Sequence, residues 1–166
     1  MRSALDVPPD DFNEFEKDLV ANVREHGWSC NAIMAENDSL SFSYTIGFQK
    51  TLGHPELIVF SLNGKVAHGV FWDMFRAIRD GREFPIGQRV QGIFNGADAM
   101  LLPVAMHHYR EHLLSARWFY VNEDCPCLQL IWPDPKGRFP WEPGADERFA
   151  DSQIDLSPTG WRNLLS

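Results

Sequence analysis

A short turn in the middle of the chain places an acid and a base side by side. The turn spans residues 53–56 (GHPE) and closely follows an alternating stretch that includes Tyr44 and Thr45. An imidazole and a carboxylate held in one turn could act as general acid and base. We therefore predict His54 and Glu56 as candidate catalytic residues, with Tyr44 and Thr45 binding the ligand. The alternative is a structural turn in which Glu56 accepts hydrogen bonds from backbone N–H groups and His54 caps it.

A stiff aromatic loop near the C-terminus is the second candidate segment. Residues 129–141 read QLIWPDPKGRFPW, in which tryptophans, a phenylalanine and prolines surround one aspartate and one arginine. Such a loop could form a wall of a ligand site, with the arginine holding an anionic group and the tryptophans excluding water. The alternative is a loop that covers one end of a sheet and pairs its aspartate with its arginine. The ligand-binding candidates are Gln129, Trp132, Asp134, Arg138 and Trp141.

Histidines and cysteines elsewhere leave metal binding open. His108 and His112 are four residues apart in a predicted helix, beside Glu111, and could grip a metal ion at two points. Cys125 and Cys127 lack the second cysteine pair that a structural zinc site usually has. The simpler interpretation is exposed histidines and buried structural cysteines. We predict no metal ion and no cofactor, and the phosphate-loop, dinucleotide-binding and serine-hydrolase motifs are absent.

The composition is that of one globular domain. The chain has 166 residues, of which 44% are hydrophobic and 23% charged. Its net charge is −8, and the acidic excess lies at both ends of the chain. This balance argues against nucleic-acid binding and against an anionic membrane surface. Without a signal sequence or a long apolar run, we expect a cytoplasmic protein with a flexible arm at 1–9, one domain at 10–155 and a tail at 156–166.

The elements that must position these residues follow from periodicity. Helical spacing of apolar residues predicts three helices, at about 10–26, 63–80 and 106–120. Alternation or short apolar runs predict strands at about 28–35, 42–48, 56–62, 88–94, 99–106 and 127–132. Asn95-Gly96 predicts a tight turn, and Pro103 predicts an edge position for its strand. The order of elements indicates an α+β fold: a single domain with a mainly antiparallel sheet and three helices packed on it.

The chain resembles a bacterial family called domain of unknown function 4262 over roughly residues 10–155. The matching blocks are GW at 27–28, FSYTIGF at 42–48, GHPELIVF at 53–60, LQLIWPD at 128–134 and GRFPW at 137–141. The resemblance implies a single-domain bacterial cytosolic protein in which the turn and the aromatic loop matter beyond this chain. It implies no particular activity or catalytic residues. The clustered histidines and the two neighbouring cysteines lie outside the resembling pattern.

Two functions from different classes remain open. The first is a small-molecule binding site, or a metal-independent hydrolase or transferase site, in which the turn faces the aromatic loop across one end of the sheet. Its ligand would be a small polar or anionic molecule, and His54 and Arg138 must then lie within about one substrate length. The alternative is an immunity or antitoxin-like module that presents its acidic surface to a basic protein. A homodimer fits the composition equally well.

Overall fold

The computed structural model describes residues 2–161 and 163 of the chain. The strands are β1 Ser29–Ile33, β2 Phe42–Ile46, β3 Glu56–Phe60, β4 Val90–Phe94, β5 Ala97–Pro103 and β6 Cys127–Ile131. The helices are α1 Glu14–His26, α2 Phe48–Leu52, α3 Gly64–Arg79, α4 Tyr109–His112, α5 Leu114–Phe119 and α6 Glu147–Ala150. Short 3₁₀ turns lie at Ala4–Asp6, Pro9–Asp11 and Met106–His108. Among the described residues, no helix is both long enough and apolar enough to cross a bilayer.

The strands of the described chain form one six-stranded sheet in the order β1-β2-β3-β6-β5-β4. Every neighbouring pair is antiparallel except β3 and β6, which run parallel with Glu56 opposite Cys127. The predicted α+β fold with a mainly antiparallel sheet is confirmed. Strand β6 joins the β1-β2-β3 meander to the β4-β5 hairpin, although it is the last strand in the described sequence.

The predicted number of helices is wrong, because the described chain contains six α-helices instead of three. The predicted helix at 106–120 is divided into a 3₁₀ turn, α4 and α5, and the break falls at Leu113 (φ −119°, ψ 37°). Leu113 is buried in the core, so tertiary packing turns the chain where its apolar spacing still looks helical. The short helices α2 and α6 arise in segments without a long helical pattern.

The central strands β3 and β6 are buried on both faces of the sheet. Ile58 and Phe60 of β3 pack with α1 and α5, whereas Leu57 and Val59 pack with α3 on the opposite face. This alternation follows from the two-residue period of a strand. It explains why the residues of β3 after Glu56 are all apolar and why the strand occupies a central place in the sheet, as its sequence predicts.

The predicted hairpin at Asn95-Gly96 is confirmed, but the predicted edge position of the following strand is wrong. Strand β5 lies between β6 and β4, and Gly96 adopts a positive φ of 77° in the turn. Pro103 is the last residue of β5 and pairs with Leu128 of β6, beyond the positions that pair with β4. Proline has no backbone N–H to donate, and at this position no β4 residue lies opposite to accept one.

Both ends of the described chain contact the core. In the predicted arm at 1–9, the 3₁₀ turn Ala4–Asp6 is capped by Ser3, and Ala4 is buried among the residues of α1 and α5. In the predicted tail at 156–166, Leu156 is fully buried. Residues 1, 162 and 164–166 of these two predicted segments lie outside the described residues.

Candidate functional site

Glu56 is fully buried at the start of β3, where its carboxylate accepts hydrogen bonds from five donors. The donors are the Thr45 hydroxyl (2.8 Å), the backbone N–H groups of Gly47, Phe48 and Gln49 (each 3.1 Å) and the Tyr120 hydroxyl. The three N–H groups belong to the first turn of α2 and its N-cap, which have no partners within the helix. Glu56 therefore fastens the start of α2 to β3, as the structural alternative requires.

The burial of Glu56 changes its pKa and that of its neighbour Tyr120. Burial raises the pKa of the Glu56 carboxyl, and the hydrogen bonds from Tyr120 and the backbone oppose that rise. Burial, followed by the charge of Glu56, also raises the pKa of the Tyr120 hydroxyl. Because its carboxylate is enclosed by its own donors, Glu56 offers no surface to a substrate.

His54 contacts the backbone of Pro55 and not the carboxylate of Glu56. Its Nδ1 lies 2.7 Å from the Pro55 carbonyl oxygen, and its ring meets Phe48 edge-on. Burial lowers the pKa of the imidazole, and the bond to Pro55 opposes this effect. No hydrogen bond joins His54 and Glu56 in the described structure. His54 lines an open depression of about 450 Å³ beside Gly81 and Arg82, so it remains accessible without its predicted partner.

Tyr44 and Thr45 are also committed to internal contacts. The Tyr44 hydroxyl accepts hydrogen bonds from Asn31 Nδ2 (2.8 Å) and from the Ser115 backbone N–H (3.1 Å). The Thr45 hydroxyl donates to Glu56 and accepts from the Leu57 N–H (2.9 Å). Both residues are buried, and their hydroxyl groups bond to the protein's own groups.

The structure places the turn and the aromatic loop at opposite ends of the sheet. Because β3 and β6 are parallel, His54 precedes the amino end of this pair and Arg138 follows its carboxyl end. A five-residue strand spans about 17 Å, which separates the two segments. The turn and the loop therefore do not form one site across a single end of the sheet.

Asp134 organises the aromatic loop from within. Its Oδ1 accepts hydrogen bonds from the N–H groups of Lys136 (2.9 Å) and Arg138 (3.0 Å), and its Oδ2 accepts from Asp146 (2.9 Å). The Arg138 Nε lies 3.4 Å from Asp134 Oδ2. These backbone donors lower the pKa of Asp134 to about 2. The internal pairing of Asp134 with Arg138 matches the structural alternative for this loop.

The other loop candidates also hold the chain together. Gln129 is fully buried and donates from Nε2 to the Ile154 carbonyl (2.6 Å). Trp132 donates its indole N–H to a carbonyl at the end of β3 (2.9 Å). The ring of Trp141 stacks on Phe139 at 5.2 Å between centroids. These three residues stabilise the loop and its connection to the C-terminal segment.

Arg89 is a residue that the sequence analysis did not single out. Its guanidinium donates to the Gly137 carbonyl (3.1 Å), pairs with Asp98 (3.4 Å) and with Glu142, and lies over the Phe139 ring. One cation therefore ties the β4-β5 hairpin to the aromatic loop. No motif marks Arg89, because its role depends on the pairing of distant segments.

An open cavity lies between this hairpin and the loop. Its volume is about 700 Å³. The lining residues are Gln91, Gly92, Gly96, Ala97, Asp98, Pro133, Asp134, Pro135, Gly137 and Phe149. Of the predicted site residues only Asp134 lines it, while Arg138 lines a second cavity of about 240 Å³. We call the larger space the hairpin cavity.

A smaller cavity of about 230 Å³ brings a cysteine and two histidines together. Cys30, His26 and His68 line it with Trp28 and Trp72. Burial raises the pKa of the Cys30 thiol to about 11, so the thiolate is scarce at neutral pH. Because the thiolate is the nucleophile, this arrangement does not support a Cys–His catalytic pair.

The structure is a compact α+β domain with open cavities at its surface. The carboxylates predicted to be functional, Glu56 and Asp134, hold neighbouring loops in place. The family model described as "Domain of unknown function (DUF4262)" matches residues 22–146, and the chain belongs to this family. The family resemblance seen in the sequence is thereby confirmed. Neither a curated protein nor a solved structure matches the chain.

Proposed function

We propose that this protein binds a small polar molecule, neutral or positively charged, in the hairpin cavity. The observation that carries the proposal is the cavity itself, whose volume of about 700 Å³ lies within the range of about 300–1,000 Å³ typical of ligand sites. Its walls come from the β4-β5 hairpin and from the loop that belongs to the family-matched part of the chain.

The charged side chains that line the hairpin cavity favour a neutral or positively charged ligand. Among the described lining residues, the ionisable side chains are Asp98 and Asp134, and both are acidic. Asp134 is already occupied by backbone donors, whereas Asp98 is partly exposed and pairs with Arg89 only at 3.4 Å. An anion would meet repulsion there, and an amine or hydroxyl group could donate to Asp98. The proposal therefore replaces the anionic ligand expected from Arg138.

The walls of the hairpin cavity are fixed before a ligand arrives. Asp134 pins the loop from inside, and Arg89 joins the loop to the hairpin at Gly137 and Asp98. A preformed site avoids the cost of ordering a loop on binding. Because His54 and Glu56 lie away from this cavity, the geometry supports binding and gives no support to acid–base catalysis by this pair.

Ligand-observed NMR with matched sets of small amines, polyols and carboxylates tests the proposal. The decisive variant is Ala97→Trp, which places a large ring in the cavity, and the matched control is Ala32→Trp on the exposed edge of β1. We expect amines or polyols to bind the natural protein and the control but not Ala97→Trp. Asp98→Asn should weaken amine binding by about tenfold, or 1.4 kcal/mol. Binding that survives Ala97→Trp, an absence of amine and polyol binding, or a preference for carboxylates would refute it.

The acidic protein-binding module is a second candidate, and one observation favours it. Phe15 of α1 is 53% exposed and lies between the acidic residues Glu14 and Glu16. An exposed aromatic ring among carboxylates could meet a basic protein. Salt-sensitive association with a basic protein, lost in Phe15→Ser and kept in Ala97→Trp, would support this candidate. Association unaffected by Phe15→Ser would exclude this surface.

A further inference from the structure

Three metal-ligand side chains converge where the chain leaves β5. His108, Glu111 and His112 each bring one ligand atom to within 4.8 Å of the other two. His108 ends the 3₁₀ turn, and Glu111 and His112 lie in α4. Their spacing of three and four residues places them on one face of this helical segment.

Packing fixes one of the three ligands in advance. His112 is only 8% exposed, and its ring meets Phe42 and Phe60 at 5.2 and 5.6 Å between centroids. Its Nδ1 lies 3.4 Å from the His108 carbonyl oxygen. A proton held on Nδ1 by this contact leaves the Nε2 lone pair available, which is the usual arrangement around a metal-binding histidine.

We propose that His108, Glu111 and His112 bind one divalent transition-metal ion, with zinc as the representative ion. Two imidazole nitrogens and one carboxylate oxygen are a ligand set that zinc accepts, and a fourth position stays open for water or another molecule. The proposed site shares no residue with the hairpin cavity and does not depend on the proposed function.

The geometry requires only a local adjustment. Zinc bonds of about 2.0–2.2 Å place tetrahedral ligand atoms about 3.3–3.6 Å apart, so the atoms must approach one another by roughly 1 Å. Glu111 is exposed, so its side chain has room to change rotamer. His112 provides the fixed point, and the other two ligands move toward it.

The charges around the cluster are compatible with a cation. Glu111 contributes a negative charge that offsets part of the charge of the ion. His107 is exposed, and its ring centroid lies 4.0 Å from that of His108, yet it is not one of the three converging ligands. It therefore provides a matched control.

Calorimetric titration of the metal-free protein with zinc chloride tests the proposal. We expect one ion per chain, with binding weakened at least tenfold by His108→Ala and by Glu111→Gln. His107→Ala should change the affinity less than threefold. Unfolding midpoints measured in the presence of a chelator show whether each variant is folded. Zinc should then raise the midpoint of the natural protein and of His107→Ala, but not that of His108→Ala.

Cobalt(II) identifies the ligand atoms independently. Coordination by imidazole and carboxylate gives visible d–d bands without the near-ultraviolet thiolate band that a cysteine would produce. No zinc binding at millimolar concentration would overturn the proposal. So would a thiolate band, or equal affinities of the His107→Ala and His108→Ala variants.

Discussion

Replacing Glu56 with glutamine tests whether this residue is an anchor or a catalytic acid. The substitution preserves the shape of the side chain but exchanges one acceptor oxygen for an NH₂ group. Because all five neighbours of the carboxylate donate hydrogen bonds, a glutamine cannot satisfy all of them. We expect Glu56→Gln to destabilise the fold without affecting ligand binding in the hairpin cavity.

The loss of stability in Glu56→Gln depends on which carboxylate oxygen, Oε1 or Oε2, the NH₂ group replaces. An NH₂ group at Oε1 leaves the Phe48 N–H without an acceptor, while the Thr45 hydroxyl can rotate to accept from it. An NH₂ group at Oε2 leaves the N–H groups of both Gly47 and Gln49 unpaired, so the first orientation costs less. One unpaired buried N–H costs about 1–3 kcal/mol. A chain of this size loses about 2–4 °C per kcal/mol, so we expect Tm to fall by about 2–12 °C.

Thermal unfolding at pH 7 gives Tm, and urea unfolding gives the free energy of unfolding, both followed by circular dichroism. The control is Glu36→Gln, an exposed position in the loop after β1, for which we expect a change within about 0.5 kcal/mol. If Glu56→Gln were as stable as this control, the five hydrogen bonds would not anchor α2. Glu56 would then not be the structural anchor that its hydrogen bonds indicate.

Two further predictions concern the backbone and the aromatic loop. Gly47→Ala would bring a Cβ to 2.7 Å from the Gly27 carbonyl oxygen at a φ of 116°, so it should cost more than about 3 kcal/mol. Gly53→Ala, with a φ of 68° and no atom within 4 Å, should cost only about 1–2 kcal/mol, and urea midpoints compare the two. The pKa of Asp134 falls from 3.8 to about 2 on folding, so its contribution to stability is present above pH 3.8 and is lost as pH falls through 2. Between pH 4 and 2, unfolding midpoints should fall more steeply for the natural protein than for Asp134→Asn, and parallel curves would contradict this assignment.

The local elements were predictable where one periodicity dominates. The alternation at 42–48 and the apolar run at 56–62 identify β2 and β3, because burial imposes these patterns on the sequence. The break at Leu113 was not predictable, since an apolar residue at helical spacing also fits an uninterrupted helix. The parallel pairing of β3 with β6 was not predictable either, because the hydrophobic pattern of one strand does not indicate which other strand it pairs with.

The candidate site was predictable only as a set of segments. Residue types drew attention to Glu56 and Asp134, and both are indeed at the centre of hydrogen-bond networks. The sequence does not show whether such a carboxylate faces a substrate or the backbone, because that depends on how neighbouring segments fold over it. The same limit explains why Arg89, which has no motif around it, was missed.

The central place of β6 has a consequence during synthesis of the protein. A nascent chain emerges from its N-terminus, so the β1-β2-β3 meander and the β4-β5 hairpin are complete before β6 leaves the ribosome. Until then, β3 presents an unpaired edge whose side chains are all destined for the interior. Such an edge pairs readily with other exposed strands. The protein is therefore most exposed to aggregation between completion of β3 and emergence of β6, and the arrival of β6 ends this interval by joining both halves of the sheet.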